Sequence, residues 1–307
     1  MPPEIIMTVT SRPYDSAPGF TPDFYRVRDF LVRINHPRLI TPVFPWGRWQ
    51  WAFSLPHLDE ASLDRITVWE DDGRIVALAT YEQQLGDAFP IVDLTSDHLL
   101  PEVVAVATER LANAQGIVRI MVSDRDQPLQ EAVYAAGFRP SDDREWDSWL
   151  PIAHTELTTD LAAGYRLASR ADEPDDDLYG ETLWRGFNHE PEGPFAPSAR
   201  DRELYTRLRS DPAYQMQHQI IVIAPDGRGA AYCGMWHLPG TRYAIVEPVA
   251  TVPEHRRKGL ARAAIHEGIR RVAAQGATEA WVGSNLPLYR AIGFRPYGAD
   301  TWWVKPE

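Results

Sequence analysis

The sequence predicts a mixed α/β (α+β) protein with two domains in tandem, each built on a mostly antiparallel central sheet flanked by helices. The chain has 307 residues, about the length at which one hydrophobic core gives way to two. Hydrophobic residues make up 44% of it and charged residues 24%, a balance typical of globular proteins. Turn and helix-end signals also occur twice in the same order, which indicates an internal duplication.

The first repeated feature is a β-hairpin. Each half contains an Asp-Gly-Arg turn between two apolar segments, and a glycine in that position is a hairpin signal. The segments are 66–69, 71–74 and 75–80 in the first half and 220–224, 225–228 and 230–236 in the second. Before the first hairpin, the alternation of Trp49 and Trp51 predicts a further strand with both rings on one face.

A helix and a strand follow each hairpin. In the first half the helix covers 101–114 and the strand 117–122, and in the second half they cover 259–274 and 280–283. Each helix is followed by Gln-Gly, and glycine just past a helix end is a common stop signal. A Gly-Phe-Arg-Pro segment then follows in both copies.

The duplication also sets the domain boundary. A strand at 146–150 closes the first copy, and a strand at 165–169 opens the second. We therefore assign residues 1–154 to the first domain and residues 155–307 to the second.

A basic turn distinguishes the second copy from the first. It is Arg256-Arg257-Lys258-Gly259-Leu260-Ala261, between the strand 243–251 and the following helix. A helix N-terminus presents free N–H groups and the positive end of the helix dipole, and a glycine lets phosphate approach the backbone closely. The equivalent segment of the first copy, 95–102, has acidic residues and neither arginine nor glycine. We expect one phosphate-binding site, in the second domain.

Charge and cysteine content exclude several classes of function. The net charge of −12 disfavours general binding to nucleic acid. A single cysteine, Cys233, excludes an intrachain disulfide and a Cys-based zinc site, and no other cluster predicts a metal. Neither a signal peptide nor a membrane-spanning apolar run is evident. We expect a cytoplasmic protein without nucleic-acid or membrane partners, and the sequence leaves its oligomeric state open.

The basic turn and its surroundings resemble the GNAT superfamily of N-acetyltransferases. The turn matches the family's [Q/R]-x-x-G-x-[G/A] signature, and Tyr289 to Phe294 is similar to its late Y-x-x-x-G-F segment. The resemblance covers roughly residues 160–307, and the first half resembles a degenerate copy, as in tandem-GNAT proteins. It implies that acetyl-CoA is a co-substrate. The implied contacts are Val249, Ala250 and Thr251 with the pantetheine arm, and Arg256, Arg257, Lys258, Gly259, Leu260 and Ala261 with the pyrophosphate.

Three further side chains are candidates for the chemistry. Tyr289 matches the position where many GNAT enzymes place a phenol near the CoA sulfur, and a phenol can protonate a departing thiolate; the alternative is a ring that only packs at a helix end. Glu247 is an acid inside an apolar strand that either accepts the amine proton or pairs with Arg242 or Arg228. Asn285 is a candidate CoA contact.

These predictions combine into one expected function. We expect an acetyl-CoA-dependent N-acetyltransferase that acts by direct attack, in a ternary complex, on a primary amine of a small molecule and needs no metal. The aromatic and acidic segment 184–195 is the candidate acceptor-binding loop, and His237 and His255 are expected on the surface. The alternative is a non-catalytic acyl-CoA-binding or sensing protein, which would need neither Tyr289 nor Glu247.

Overall fold

The structure is a computed structural model that describes residues 9–35 and 43–306. Residues 1–8, which belong to the N-terminal stretch without a predicted signal peptide, lie outside that range. Contacts divide the described chain into two compact units: residues up to Trp146 together with those from Gly298 onward, and Asp147–Tyr297. Among the described residues, no helix has both the length and the apolar character needed to cross a membrane.

Strands and helices occur in both units. The strands of the described chain are β1 Thr10–Pro13, β2 Thr67–Asp71, β3 Arg74–Thr80, β4 Asp87–Val92, β5 Arg119–Ser123, β6 Arg139–Pro151, β7 Arg166–Ser169, β8 Ile220–Ile223, β9 Gly229–Trp236, β10 Tyr243–Thr251, β11 Glu279–Val282 and β12 Arg295–Val304. The helices are α1 Pro22–Asn35, α2 Trp46–Ala52, α3 Leu100–Arg110, α4 Gln127–Ala135, α5 Asp176–Gly186, α6 Ala199–Ser210, α7 Leu260–Ala273 and α8 Pro287–Ala291.

The sheet of the first unit begins with an antiparallel meander. Strand β1 pairs with β2, β2 with β3 and β3 with β4, all antiparallel. Strand β4 pairs in parallel with β5, and β5 pairs antiparallel with residues 300–304 of β12. The last strand of the chain therefore completes the sheet of the first unit. The predicted domains 1–154 and 155–307 stay a prediction, while the compact units interleave along the chain.

The predicted strand at Trp49 and Trp51 is wrong, because this segment is helix α2. The indole of Trp49 is fully buried, stacks on Phe24 with centroids 5.7 Å apart and donates its N–H to the Phe24 carbonyl oxygen at 3.2 Å. The buried positions of this helix and its C-cap are 46, 47, 49, 50, 52 and 53, and among them 46, 49, 50 and 53 have the spacing of one helix face. The Trp-x-Trp alternation is too short to distinguish the two-residue period of a strand from the period of about 3.6 residues of a helix.

The second unit has the mixed, mostly antiparallel sheet that the sequence predicts. Residues 148–151 of β6 pair antiparallel with β11, β11 pairs in parallel with β10, and β10, β9, β8 and β7 follow in antiparallel order. Helix α7 packs against β9 at Gly268, where an added Cβ would lie 2.6 Å from Met235 Cγ. The basic turn connects the end of β10 directly to the start of α7, so these two ends lie next to each other. The packing at Gly268 holds the helix against the sheet.

Candidate functional site

Strands β10 and β11 separate part-way along β10. Their parallel pairing covers 243–245 of β10 and 279–281 of β11, although β10 continues to Thr251. Beyond this point the two strands are no longer paired within the described chain. The edge of β10 that would face β11 is therefore open, and an extended ligand can pair with its backbone groups.

A bulge at Glu247 and Pro248 bends β10 where it leaves β11. The pairing of β10 with β9 shifts register between Val246 and Val249. Proline has no N–H to donate to a sheet and is tolerated at bulges. Opposite the bulge, Gly234 of β9 lies so close that an added Cβ would collide with the carbonyl oxygen of Glu247. A Glu-Pro pair facing a glycine thus produces the bend.

The basic turn leads from β10 into α7 through two residues with left-handed backbone. Arg257 has a φ of 61° and Gly259 a φ of 78°. Helix α7 begins at Leu260 and has no acidic residue in its first turn. Such backbone is typical of N–H groups that converge on an anion, and the first N–H groups of a helix have no intrahelical partners. The turn thus has the backbone and the charge that a phosphate site needs.

Arg256 is held by the protein itself. Its guanidinium donates hydrogen bonds to the carbonyl oxygens of Thr251 at 3.0 Å and Gly186 at 3.1 Å, and to Asn188 Oδ1 at 2.7 Å. These contacts fasten the basic turn to β10 and to the end of α5. Arg256 therefore shapes the turn with three of its five N–H groups, and the two on Nη1 stay available to a ligand.

The other two cations of the turn are more available. Lys258 Nζ donates to the Tyr165 hydroxyl at 2.9 Å, and that hydroxyl also lies 2.9 Å from His255 Nδ1. The Arg257 side chain is exposed and, within the described chain, has no hydrogen-bond or ion-pair partner. Arg257 is consequently the cation of the turn most free to meet a phosphate.

One cavity joins the open edge of β10, the basic turn and α8. Its volume is about 350 Å³. The predicted site residues that line it are Val249, Ala250, Thr251, Arg256, Arg257, Gly259, Leu260, Ala261 and Tyr289. Glu247, Lys258 and Asn285 lie outside its lining. Gly186, from the predicted acceptor loop 184–195, also lines the cavity, as does Arg262, which sequence reasoning did not assign to the site.

Tyr289 lies on the short helix α8, in the wall of the cavity. Its side chain is 7% exposed, and its ring packs edge-on against Phe294 with centroids 5.7 Å apart. Burial raises the pKa of the Tyr289 phenol well above its ordinary value, and the nearby Cys233 and Glu247 raise that pKa further. In the described part of the chain the hydroxyl has no hydrogen-bond partner. It is therefore a protonated donor at neutral pH.

Glu247 is half-buried at the bulge, close enough to Tyr289 to affect the pKa of the phenol. The two arginines predicted as its ion-pair partners contact other acids. Arg228 pairs with Glu181, and Arg242 lies 3.4 Å from Glu279. The choice between a base and a structural carboxylate stays a prediction.

The predicted acceptor loop begins inside α5. Helix α5 ends at Gly186, where an added Cβ would lie 2.6 Å from the Cβ of Ala250 on β10. The Trp184 indole donates to the carbonyl oxygen of Gly193 at 3.2 Å, and its ring lies 4.9 Å from that of His189. The loop that follows Gly186 therefore starts beside the cavity and is fastened by its own aromatic residues.

The expectation that His237 lies on the surface is wrong. Its side chain is fully buried at the end of β9, and its Nε2 lies 3.0 Å from the Thr241 carbonyl oxygen. Burial lowers the pKa of His237, so the ring is neutral near pH 7. The Leu-Pro-Gly sequence after it resembles an exposed turn, and only the register of β9 places the histidine inward.

A family comparison identifies the segment that holds this cavity. Residues 181–294 match the Acetyltransferase (GNAT) family model, and they include the bulge, the basic turn, α7 and Tyr289. The second unit is a GNAT acetyltransferase domain. The resemblance stated from the sequence is thereby confirmed, and with it the assignment of the chain to the acyltransferases. None of the curated proteins matches the sequence significantly.

Solved structures extend the similarity of the GNAT domain to the whole chain. A GCN5-related N-acetyltransferase from Sphaerobacter thermophilus is 15% identical, with a TM-score of 0.55 and coverage of 97% of this chain and 95% of that one. A tandem GNAT protein from the clavulanic acid biosynthesis pathway is also 15% identical, with a TM-score of 0.58 and coverage of 97% and 98%. Saccharomyces cerevisiae N-myristoyltransferase, solved with myristoyl-CoA, is 13% identical, with a TM-score of 0.51 and coverage of 99% and 80%. At these identities the likeness concerns the fold, and it supports the tandem arrangement.

The first unit contains a counterpart of the GNAT cavity with different chemistry. This cavity, of about 280 Å³, lies between the end of β4 and the starts of α3 and α4. Its lining includes the acids Asp97 and Asp126 and one cation, Arg125. Helix α3 begins without a basic turn and has Glu102 in its first turn. Negative charge at a helix N-terminus repels phosphate.

Proposed function

We propose that the protein is an acetyl-CoA-dependent N-acetyltransferase that transfers the acetyl group to a primary amine of a small molecule by direct attack in a ternary complex. The observation that carries the proposal is the cavity in which the open edge of β10, the basic turn and Tyr289 meet. An extended strand edge suits the amide groups of pantetheine, and the turn suits pyrophosphate.

The residues present fit CoA in charge as well as in shape. The first turn of α7 contains no acid, and Arg257 and Arg262 line the cavity. Two residues in the left-handed region keep the backbone of the turn open to a phosphate. Acetyl-CoA would supply an activated thioester, and the chain has only to hold that group and guide the proton transfers.

The backbone after the bulge is suited to stabilise the oxyanion that develops during acyl transfer. Pro248 has no N–H, so the first N–H groups after the bulge belong to Val249 and Ala250. Both residues line the cavity, on the stretch of β10 that has left β11. A backbone N–H directed at a developing negative charge stabilises the transition state more than the ground state.

Tyr289 would act on the departing sulfur. A thiol ordinarily loses its proton near pH 8.5, whereas burial holds the pKa of Tyr289 well above 10. Complete proton transfer from the phenol to a thiolate is therefore uphill. We assign Tyr289 the role of a hydrogen-bond donor that stabilises the charge developing on sulfur.

The amine has to arrive from the side of the bulge and the α5 loop. Glu247 could take its proton directly or through water, since an acid at a half-buried strand position is a suitable general base. The aromatic loop after Gly186 would supply apolar and cation–π contacts to an ammonium group. The GNAT structure from Sphaerobacter thermophilus is named as an N-acetyltransferase, which supports an amine rather than an alcohol as acceptor.

Calorimetric titration of acetyl-CoA into the purified protein tests the donor. We expect a stoichiometry near one, and binding at least about tenfold weaker in an Arg257→Gln/Lys258→Gln variant, because charged hydrogen bonds contribute about 1.5–3 kcal/mol each. The matched control is Arg166→Gln/Arg228→Gln, which removes two exposed cations elsewhere in the same unit. A stoichiometry near two would assign a site to the first unit, and no binding would refute the proposal.

A Tyr289→Phe variant separates the enzyme from a non-catalytic acyl-CoA sensor. Release of free CoA thiol is followed with a panel of small amines and, without acceptor, as slow hydrolysis. We expect the rate to fall about 100-fold while acetyl-CoA affinity stays within about twofold, because the ring and its packing are retained. Equal rates in both proteins would contradict the role of Tyr289, and tight binding without any turnover would favour the sensor.

A further inference from the structure

A second, polar groove lies next to the cofactor cavity in the GNAT domain. It has a volume of about 500 Å³ and is lined by Arg262, Arg290 and Arg295 together with His154 and His266. We call it the arginine groove. Arg262 lines both the groove and the cofactor cavity, and Arg290 directly follows the cavity residue Tyr289. The two spaces therefore meet along the start of α7 and the end of α8.

The arginines of this groove lack local charge compensation. All three are exposed, and none has a carboxylate within 4.0 Å in the described chain. Every arginine of residues 147–297 outside the basic turn and the groove does have such a carboxylate. In a chain with a net charge of −12, uncompensated cations thus concentrate around one connected space. Such a concentration attracts an anion.

The floor of the groove is a fixed structure. His266 of α7 is buried, and its Nδ1 lies 3.0 Å from both the N–H and the carbonyl oxygen of Thr158. Its Nε2 lies 3.2 Å from the Ile292 carbonyl oxygen, which it can reach only as a donor. The guanidinium of Arg262 also donates to the Thr158 hydroxyl. These bonds tie the segment before β7 to α7 and to the end of α8, so the arginines stand on a preformed surface.

We propose that the arginine groove binds the ribose 3′-phosphate of CoA. This inference rests on the proposed function, which places the pyrophosphate at the basic turn. The nucleotide end of the molecule then emerges next to Arg262, within reach of the adjoining groove. A phosphate monoester carries a charge of about −1.5 to −2 near pH 7, and guanidinium groups bind it through paired hydrogen bonds. The enzyme would therefore distinguish CoA thioesters from their 3′-dephospho forms.

One acidic residue reduces the positive charge of the arginine groove. Glu156 is exposed in its lining, and its carboxylate has no arginine within 4.0 Å in the described residues. Its charge opposes a phosphate without neutralising any one arginine. We expect Glu156→Gln to strengthen acetyl-CoA binding by about two- to fivefold and to leave the affinity for 3′-dephospho-acetyl-CoA unchanged.

Calorimetry with acetyl-CoA and 3′-dephospho-acetyl-CoA tests the proposal without reference to activity. We expect the wild-type protein to bind the dephospho compound about 10- to 100-fold more weakly. In Arg290→Gln/Arg295→Gln, acetyl-CoA affinity should fall to that of the dephospho compound, whose own affinity should not change. Arg166→Gln/Arg228→Gln is the control for net charge and should keep the full preference.

The outcomes separate this proposal from the one on which it rests. Equal binding of the two ligands to the wild-type protein would overturn the groove assignment and leave the acetyltransferase proposal standing. The groove assignment would also be overturned if Arg290→Gln/Arg295→Gln, with an unchanged unfolding temperature, still bound acetyl-CoA more tightly than 3′-dephospho-acetyl-CoA. If acetyl-CoA does not bind at all, both proposals fail together.

Discussion

Replacing Gly234 with alanine should disturb the bulge on which the site is built. The added Cβ would collide with the carbonyl oxygen of Glu247 and would lie 2.9 Å from Gln219 Oε1. Neither neighbour can move freely. The first is backbone, and the Gln219 side chain is held by the Tyr232 hydroxyl, which donates to its Oε1 at 2.6 Å, and by the Met235 carbonyl oxygen, which accepts from its Nε2 at 3.2 Å. Strand β9 and the bulge must therefore separate.

The cost follows from overpacking of a buried position. Inserting a methyl group into a closely packed interior destabilises by about 1–3 kcal/mol, which corresponds to a fall of about 2–12 °C in Tm. Gly283→Ala is the matched control, because its added Cβ meets nothing within 4 Å and its backbone is not left-handed; that variant should change Tm by no more than about 2 °C.

Differential scanning calorimetry of both variants measures the effect, and acetyl-CoA titration shows whether the displaced strand also weakens binding. We expect the affinity to fall in Gly234→Ala, since Val249 and Ala250 follow the bulge directly. A Gly234→Ala protein that has the wild-type Tm and binds acetyl-CoA as tightly as the wild type would refute the close approach of β9 to Glu247.

Two further predictions concern single side chains. His218 is fully buried, has no hydrogen-bond partner for either ring nitrogen in the described chain, and has its pKa lowered to about 4, mainly by burial. The unfolded chain, with a pKa near 6.5, binds more protons, so stability is lost as the pH falls below 6.5; the wild type should lose about 2 kcal/mol more than His218→Phe between pH 7 and pH 5 in guanidinium unfolding. Tyr165→Phe removes the acceptor that positions Lys258 and should weaken acetyl-CoA binding about fivefold; an unchanged affinity would show that Lys258 needs no support from Tyr165.

Local sequence signals predicted the elements that carry the site. The run 243–251 is β10 as predicted, and α7 begins one residue after the predicted start because Gly259 is its left-handed N-cap. These features depend on neighbours in the chain: a proline without an N–H, a glycine free to adopt positive φ, and an apolar stripe at helical spacing. Such signals are complete within a short window of sequence.

Contacts between distant segments could not be predicted in the same way. The pairing of β12 with β5 depends on which strand edge is left open by the first unit, and no residue within β12 encodes that choice. The hydrogen bond from Arg256 to the carbonyl oxygen of Gly186 joins segments 70 residues apart. The sequence marked Arg256 as a phosphate ligand, because its type and position suit that role. Only the fold shows that three of its five N–H donors already bind the protein.

Uncompensated charge, rather than the number of basic residues in a window, is the basis on which we propose the anion site. The stretch from the basic turn to the end of α7 contains Arg270 and Arg271, yet both pair with Glu267, at 2.8 and 2.7 Å. Arg290 and Arg295 lie outside that stretch in sequence, and they border the same space as Arg262 without a carboxylate beside them. A guanidinium paired with a carboxylate uses most of its hydrogen-bond donors on that partner, and the partner's negative charge cancels much of its electrostatic field. An unpaired guanidinium keeps its donors and its field for a ligand. The sequence supplies the residue types, and the topology decides which of them remain available to a phosphate.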